Sequence, residues 1–304
     1  MVQSGAGLIF VEYSFVHASG RSEVNQLGIS TGEHIDGLSR IAEIIHQSGA
    51  VAGIQLSHGG GKSHRELTGG KLLTPSGIAV PSQDAVQELP DVMDRADIEI
   101  WQSSFVDAAR RGIAAGFDLI EFHSAHGYGL NQWLSPLTNQ RQDAYGGSLE
   151  NRSRMLLEII AQVRSLFAQH ALAARIPGQD FLPGGLGLGD MVWVAQRLQA
   201  GLNLLDVSSG LGGWRRPRDH KGEGYLVAEA SAIQQAVSIP VIGVGGIQSA
   251  EYIDHVIGKQ QISLAAVGRA ILADPQAFKQ RILRPPRAIM KNSMHSEVRK
   301  PCLC

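Results

Sequence analysis

The stretch "FDLIEFHSAHGYGLNQWLSP", residues 117–136, joins a short apolar run to a polar end, and this combination decides the fold class. The run at 117–124 has the length of a buried β-strand and ends in His123 and Ser124. Six similar runs occur at residues 7–14, 50–57, 171–177, 202–209, 239–246 and 263–269. The sequence therefore predicts seven buried strands.

Segments of helical periodicity separate these runs. Apolar residues recur three or four positions apart in two clear cases: Ile35, Leu38, Ile41, Ala42 and Ile45 in the first, and Leu156, Ile159, Ile160, Val163 and Phe167 in the second. Regular alternation of strand and helix requires parallel strands joined by crossover connections. The candidate folds are a closed (β/α)8 barrel and an open doubly wound sheet.

Polar residues and glycines collect at the C-terminal end of nearly every run: Gln55, His58, His123, His126, Arg175, Ser208, Ser209, Gly245, Gly246, Gly268 and Arg269. A barrel assembles its site from all of these ends, whereas an open sheet concentrates function at one switch point. We therefore predict an α/β fold, a (β/α)8 TIM barrel. Seven runs do not close eight strands, and the chain begins almost inside a strand, so we expect the first βα unit to be missing.

The predicted barrel domain covers residues 1–276, and residues 277–304 form a C-terminal tail. A long connection at about 58–95, rich in Gly, Ser, Pro and Thr, is interpreted as a lid-like loop. The only cysteines, Cys302 and Cys304, cannot form a disulfide framework or supply the four ligands of an iron–sulfur cluster.

The charge balance excludes several classes of partner. The chain has 27 basic and 28 acidic residues, so it lacks the basic surface that nucleic acid or an anionic membrane would require. No apolar run approaches the roughly 18 residues of a membrane span. The first basic residue is Arg21, so the positively charged start of a secretory signal is missing. We expect a cytoplasmic protein that acts on a small molecule, with no nucleic acid or membrane partner.

Two glycine-containing turns, "GVGGI" (243–247) and "VGRAI" (267–271), follow the last two predicted strands. Barrels often bind phosphate there, because glycine lets backbone N–H groups approach the oxygens. Arg269 would add a charge-assisted donor. By contrast, "GGGKS" (59–63) is not a Walker loop, because Leu56 stands where that motif needs glycine.

The paired histidines, His123 and His126, admit three interpretations: a metal site, a structural turn, or a clamp for a substrate oxygen. A metal would need further ligands, and neither His58 nor Glu121 follows a regular spacing, so we predict no metal. In a clamp, the imidazoles would hold an oxygen anion and Tyr128 would give a proton.

Two further polar side chains at strand ends have both a functional and a structural interpretation. Arg175 either stabilises negative charge on a bound ring or pairs with a carboxylate such as that of Asp180. Gln55 either binds a flat heterocycle or stabilises a loop. Residue type and spacing leave these alternatives open.

The segment "EFHSAHGYGLNQWLSPLTNQRQDAYGGSLENRSRMLLEII" (121–160) resembles the signature of the Old Yellow Enzyme family of FMN-dependent ene-reductases, in particular its bacterial branch with paired histidines. "GIQLSHGGGK" (53–62), "VGGI" (244–247) and "AAVGRAILADP" (265–275) match in the same order, so the resemblance covers roughly residues 5 to 276. The long run "SPLTNQRQDAYGGSLENR" makes the match specific, because the fold alone does not explain it.

This resemblance implies that NAD(P)H reduces FMN, which then reduces the activated C=C bond of an α,β-unsaturated carbonyl compound. It implies that His123 and His126 bind the substrate's carbonyl oxygen and that Tyr128 donates the proton. The flavin contacts implied by the resemblance are Gln55 at the pyrimidine, Arg175 near N1 and O2, and a phosphate site made of Gly245, Gly246, Gly268 and Arg269.

The sequence departs from the family pattern at Tyr13, where relatives usually carry a small residue, and at Gly61 and Gly129. A phenol at position 13 is expected to crowd the isoalloxazine. Two alternatives therefore stay open: a degenerate barrel that does not bind FMN, and a non-redox phosphate-binding barrel enzyme such as an isomerase. Strand edges beside the gap are costly unless covered, so the chain is also compatible with a homo-oligomer.

Overall fold

The computed structural model describes residues 1–81, 88–213, 217 and 219–282. Seven parallel strands form its main sheet in the order β1-β2-β5-β6-β7-β8-β9. These strands are β1 (Leu8–Phe15), β2 (Val51–Ser57), β5 (Leu119–His123), β6 (Ala171–Pro177), β7 (Leu204–Ser208), β8 (Val241–Gly243) and β9 (Leu264–Ala265). Each overlaps one of the seven predicted runs, so this prediction is confirmed.

Helices connect the strands. They are α1 (Ile35–Gln47), α2 (Arg95–Ala114), α3 (Gly129–Leu134), α4 (Leu149–Leu166), α5 (Leu188–Leu198), α6 (Val227–Gln234), α7 (Ala250–Gly258), α8 (Arg269–Ala273) and α9 (Pro275–Ile282). The predicted helical periodicities lie in α1 and α4, except for Phe167, which is the C-cap residue of α4. Side chains of Asp94, Ser148 and Ser249 accept backbone N–H groups and so fix the starts of α2, α4 and α7.

The strand order follows the chain order, and all neighbouring pairs of the main sheet are parallel. Within the described residues, β1 and β9 are edge strands with no eighth strand between them. The predicted α/β barrel architecture lacking one βα unit is therefore confirmed. The consequence for function is that the C-terminal ends of all seven strands lie along one curved rim.

Apolar residues pack on both faces of the sheet. The larger cluster contains strand residues such as Ile54, Ile120 and Phe122 together with helix residues, so it lies between the sheet and its helices. The smaller cluster includes Leu119, Ala173, Leu204, Ile242 and Val244, on the opposite face of the same strands. Because side chains alternate along a strand, residues 121 and 123 of β5 share the inner face with Leu119.

The long connection predicted at 58–95 contains a small two-stranded sheet of β3 (Leu73–Thr74) and β4 (Asp91–Val92). Residues 82–87 of this connection and Cys302 and Cys304 of the predicted tail lie outside the described residues. The predicted domain boundary at residue 276 falls inside α9. No helix in the described ranges is long and apolar enough to cross a membrane.

Candidate active site

The ends of β2, β5, β6 and β7 bring several predicted residues into register on the inner face. Gln55 lies opposite Glu121, His123 lies opposite Arg175, and Arg175 lies opposite Asp206 on its other side. These pairings place the predicted flavin contacts, Gln55 and Arg175, on the strands that flank the histidine-bearing β5.

The two histidines lie close together and are buried. Their ring centroids are 5.2 Å apart, and His126 Nε2 lies 2.6 Å from the Ser208 hydroxyl. His126 adopts a left-handed backbone conformation, with φ of +58°, and its N–H donates to the carbonyl of Ser209. Nδ1 of His123 is buried without a hydrogen-bond partner among the described residues. A buried polar atom without a partner is unusual, because buried polar groups are normally hydrogen-bonded.

Burial lowers the pKa of both imidazoles well below its usual value, and the nearby Arg175 cation lowers it further. Both rings are therefore neutral at pH 7, and each keeps one N–H donor. Neutral donors can hold a substrate oxygen and stabilise charge that develops on it without protonating it outright.

Tyr128 immediately precedes α3 as its N-cap residue and is half-buried. Its ring centroid lies 4.9 Å from that of His123. Lys62 Nζ lies 4.9 Å from the Tyr128 ring centroid and donates to the backbone oxygen of His126 at 2.9 Å. The predicted proton donor therefore lies beside the histidine pair.

Tyr13 of β1 also contacts this group. Its ring centroid lies 5.1 Å from that of Tyr128 and 6.3 Å from that of His123. Its hydroxyl donates to the Glu23 carboxylate at 2.6 Å. From sequence, Tyr13 was expected only as an obstacle to the flavin ring, and its contact with Glu23 was not predicted.

Arg175 pairs with Asp206, whose carboxylate Oδ2 lies 3.2 Å from Nε, and its Nη2 donates to the Ser208 hydroxyl at 3.4 Å. The alternative that it pairs with Asp180 is wrong. Asp180 accepts instead from Ser135 and from backbone N–H groups. Register explains the difference, because Asp206 stands directly beside Arg175 on β7, whereas Asp180 lies beyond the end of β6.

Two carboxyl groups lie buried below the rim. Burial and, next, the neighbouring Asp206 carboxylate together raise the pKa of Glu121 to about 8, so Glu121 is largely protonated at pH 7. Burial also raises the pKa of Asp206. Gln55 donates to Glu121 Oε2 at 2.6 Å, so one N–H of its amide faces the interior. Sequence reasoning missed Asp206, although its position two residues before Ser208 put it on the same strand face.

The predicted phosphate residues lie where adjacent strands end, since β8 and β9 pair through Gly243 and Ala265. Gly245 and Gly246 have φ values of +123° and +68°. A Cβ at Gly245 would lie 2.8 Å from the backbone nitrogens of Tyr225 and Leu226, so a side chain is excluded there.

The N–H groups of these turns are available for a ligand. Among the described residues, those of Gly245, Gly246 and Gly268 donate to no backbone carbonyl. Gly268 and Arg269 are exposed. Donors and a cation at this end, together with the Arg175 guanidinium and the histidine pair, fit a flat ring system that carries a phosphate.

No group of three or more His, Cys, Asp or Glu side chains that could hold a metal ion occurs in the part of the chain that the structure describes. The two residues considered as extra metal ligands have different hydrogen-bond partners. His58 hydrogen-bonds with Ser19 and accepts from the N–H of Gly60, whereas Glu121 lies inside the barrel.

Comparisons with known proteins show the family and the fold. The sequence profile of the NADH:flavin oxidoreductase / NADH oxidase family matches residues 2–284. The NADPH dehydrogenase of Geobacillus sp. (strain WCH70) is 41% identical over 270 residues, which cover 88% of this chain and 77% of that protein.

Two solved structures illustrate the likeness in three dimensions. Histamine dehydrogenase from Rhizobium sp. 4-9 superposes with a TM-score of 0.83 at 30% identity, over 92% of this chain but only 42% of its own. An old yellow enzyme homologue from Zymomonas mobilis gives a TM-score of 0.77 at 21% identity, over 91% of this chain and 79% of its own. At that identity, the second match shows a shared fold alone.

Proposed function

Because this chain belongs to the NADH:flavin oxidoreductase / NADH oxidase family and is an FMN-dependent NAD(P)H oxidoreductase, we propose that it reduces the activated C=C bond of an α,β-unsaturated carbonyl compound. The observation that carries this proposal is the buried pair of neutral imidazoles, His123 and His126, beside the Tyr128 ring. Two hydrogen-bond donors suit a carbonyl oxygen that gains negative charge, and one proton donor suits the α-carbon that is protonated.

The residues that would hold FMN lie along the rim. Gly245, Gly246, Gly268 and Arg269 would bind its phosphate, and Arg175 and Gln55 would bind its ring. When bound, FMN accepts electrons from NAD(P)H and supplies the hydride that the alkene receives. Asp206 orients the Arg175 guanidinium by their contact at 3.2 Å, so it would fix the position of that cation.

His123 and His126 would bind the carbonyl oxygen of the substrate and stabilise the enolate-like charge on it. Losing one such donor in a preorganised site typically costs about 10²–10³ in rate. Burial raises the pKa of the Tyr128 hydroxyl, so Tyr128 holds its proton at neutral pH. It would release that proton to the α-carbon of the alkene.

A degenerate barrel is the second candidate, and one observation favours it. The Tyr13 ring lies against Tyr128 and His123, in the group of residues that would receive substrate and flavin. A ring fixed there would restrict entry. The small-to-large change at this position therefore makes cofactor loading the first property to measure.

Flavin absorbance of the purified protein, before and after incubation with FMN, separates the two candidates. Protein that carries FMN should oxidise NADPH faster when 2-cyclohexenone is added, and the product should be cyclohexanone. Protein that stays colourless after incubation with FMN would exclude the reductase and leave the degenerate barrel.

A further inference from the structure

The residues around Tyr128 form a connected path to the protein surface. The Tyr13 hydroxyl donates to the carboxylate of Glu23 at 2.6 Å, and Glu23 is exposed. On its other side, Tyr13 packs against Tyr128 with ring centroids 5.1 Å apart. Hydroxyl, hydroxyl and carboxylate therefore follow one another from the site to water.

Tyr13 and Tyr128 also interact through their hydroxyls. Burial raises the pKa of Tyr128, whereas hydrogen bonds with Tyr13 and Ser22 act in the opposite direction. Burial and hydrogen bonds with Glu23 and Tyr128 raise the pKa of Tyr13 above its usual range. Both phenols are therefore protonated at neutral pH, and a phenolate on either one would be reprotonated readily.

The segment that carries Glu23 is held against β1. Gln26 Nε2 donates to the backbone oxygen of Tyr13 at 2.9 Å, and its Oε1 accepts from the N–H of Ser22 at 2.8 Å. Arg21 Nε donates to the backbone oxygen of Glu23 at 3.1 Å. These contacts hold the segment that carries Glu23 against β1, and so keep its carboxylate near the phenol.

We propose that Tyr13 and Glu23 form a proton relay that returns a proton from water to the Tyr128 hydroxyl after each turnover. The proposal rests on the proposed function, in which Tyr128 protonates the substrate. It assigns Tyr13 a positioning and proton-transfer role that a small residue at this position could not have.

The protons balance in three steps. The Tyr128 O–H bond breaks as a C–H bond forms at the α-carbon, which leaves a phenolate. The Tyr13 hydroxyl rotates towards that phenolate and passes its proton to it. The Glu23 carboxylate takes up one proton from water and passes it to Tyr13, so each turnover consumes one proton from the solvent and no redox step is added.

Other groups contact Tyr128 and must be distinguished from the relay, among them Ser22, which hydrogen-bonds with its hydroxyl. His123 of β5 lies 4.9 Å from Tyr128 between ring centroids, and Lys62, from the connection that follows β2, lies at the same distance above the ring. Neither belongs to the hydrogen bond between Tyr13 and Glu23. Variants of Glu23 and Tyr13 therefore isolate the relay, and variants of His123 or Lys62 do not.

The kinetic test compares first and later turnovers of the FMN-loaded protein with NADPH and 2-cyclohexenone. For Tyr13→Phe and Glu23→Gln we expect a near-normal first turnover, followed by a steady-state rate that is lower on the order of tenfold at pH 8. Added imidazole buffer should partly restore that rate by protonating Tyr128 directly. Combining both changes should cost no more than either alone.

Tyr145→Phe is the matched control. Tyr145 also donates to a glutamate, Glu158, at 2.8 Å, but it packs on Trp133 outside the barrel mouth. This control should leave the steady-state rate unchanged. A Tyr13→Phe variant with the wild-type rate and pH profile, alongside an impaired Tyr128→Phe variant, would overturn the relay and leave the proposed function intact.

A second measurement needs no flavin. With 3-fluorotyrosine at the five tyrosines, Tyr→Phe variants assign each ¹⁹F resonance. In a pH titration, protonation of Glu23 should shift the resonances of Tyr13 and Tyr128. The Glu23→Gln variant should lack this pH-dependent shift. A Tyr128 resonance that ignores both Glu23→Gln and Tyr13→Phe would overturn the relay, whether or not the protein reduces an enone.

Discussion

Tyr128 is expected to act in only one half of the proposed reaction, the reoxidation of the flavin by the substrate. We expect Tyr128→Phe to slow reoxidation of the reduced flavin by 2-cyclohexenone by about 10²-fold, because general acids contribute about 10²–10⁴. Reduction of the flavin by NADPH should change little. Anaerobic rapid mixing measures both halves, and equal rates of reoxidation in the variant and the wild type would remove Tyr128 from its role.

Glu121 gives a prediction about stability and pH. Its folded pKa of about 8 lies above the usual 4.5, so the folded protein holds a proton that the unfolded chain has lost. The resulting stabilisation is complete below about pH 4.5 and disappears as the pH rises through about 8. Glu121→Gln lacks this dependence, so its Tm relative to wild type should increase with pH.

Differential scanning calorimetry at pH 5, 6.5 and 8 measures this trend. Glu158→Gln, which neutralises a carboxylate that accepts a hydrogen bond from Tyr145 outside the barrel, serves as a control. A difference in Tm between Glu121→Gln and wild type that is constant across this range would show that Glu121 is ionised in the folded protein.

At the scale of the elements, the strands could be predicted because apolar runs with polar ends are a local signal. The contacts between strands could not. Asp206 rather than Asp180 pairs with Arg175 because β6 and β7 align those two residues, and no spacing within one strand encodes that register. For the same reason, Glu121 was considered as a metal ligand, although it lies inside the barrel against Gln55.

Tyr13 shows the same limit for side-chain partners. The sequence identified it as unusual, but its hydrogen bond with Glu23 depends on how residues 21–26 fold back over β1. Local sequence predicted which residues reach the rim, and the tertiary structure determined what each of them contacts there.

Gly53 of β2 gives a prediction at the element scale. A Cβ there would lie 2.6 Å from the Phe10 ring of β1, inside the barrel. We expect Gly53→Ala to lower the free energy of unfolding by about 1–3 kcal/mol through overpacking. Gly37→Ala in the exposed first turn of α1, where a Cβ has open space, should instead raise it by about 0.5 kcal/mol.

Urea denaturation of the two alanine variants, with the wild type alongside, provides the comparison. If Gly53→Ala matched Gly37→Ala in stability, β1 and β2 would have to pack less tightly than the structure shows.

At the scale of the whole molecule, one ligand would join the strand ends that the fold brings together. FMN should raise the Tm, because a ligand that binds only the folded state stabilises it, by about 2.7 kcal/mol at a concentration of 100 Kd. Riboflavin, which lacks the phosphate, should raise the Tm less. Arg269→Ala should reduce the difference between the Tm increases caused by FMN and by riboflavin, since Arg269 lies at the predicted phosphate end.

Thermal melts at matched ligand concentrations test this prediction. Equal shifts with FMN and riboflavin in the wild type would mean that the glycine turns after β8 and β9 do not receive the phosphate.

The left-handed backbone of His126 has a consequence for anyone who diversifies this site. In a saturation library at position 126, backbone conformation would decide which variants fold. A φ of +58° favours Gly, Asn and Asp and disfavours Val, Ile and Thr. Folded clones should therefore be rich in the first three residues even when they are inactive. The Asn variant is the most informative of these, since Asn tolerates the left-handed backbone and still has a side-chain hydrogen-bond donor.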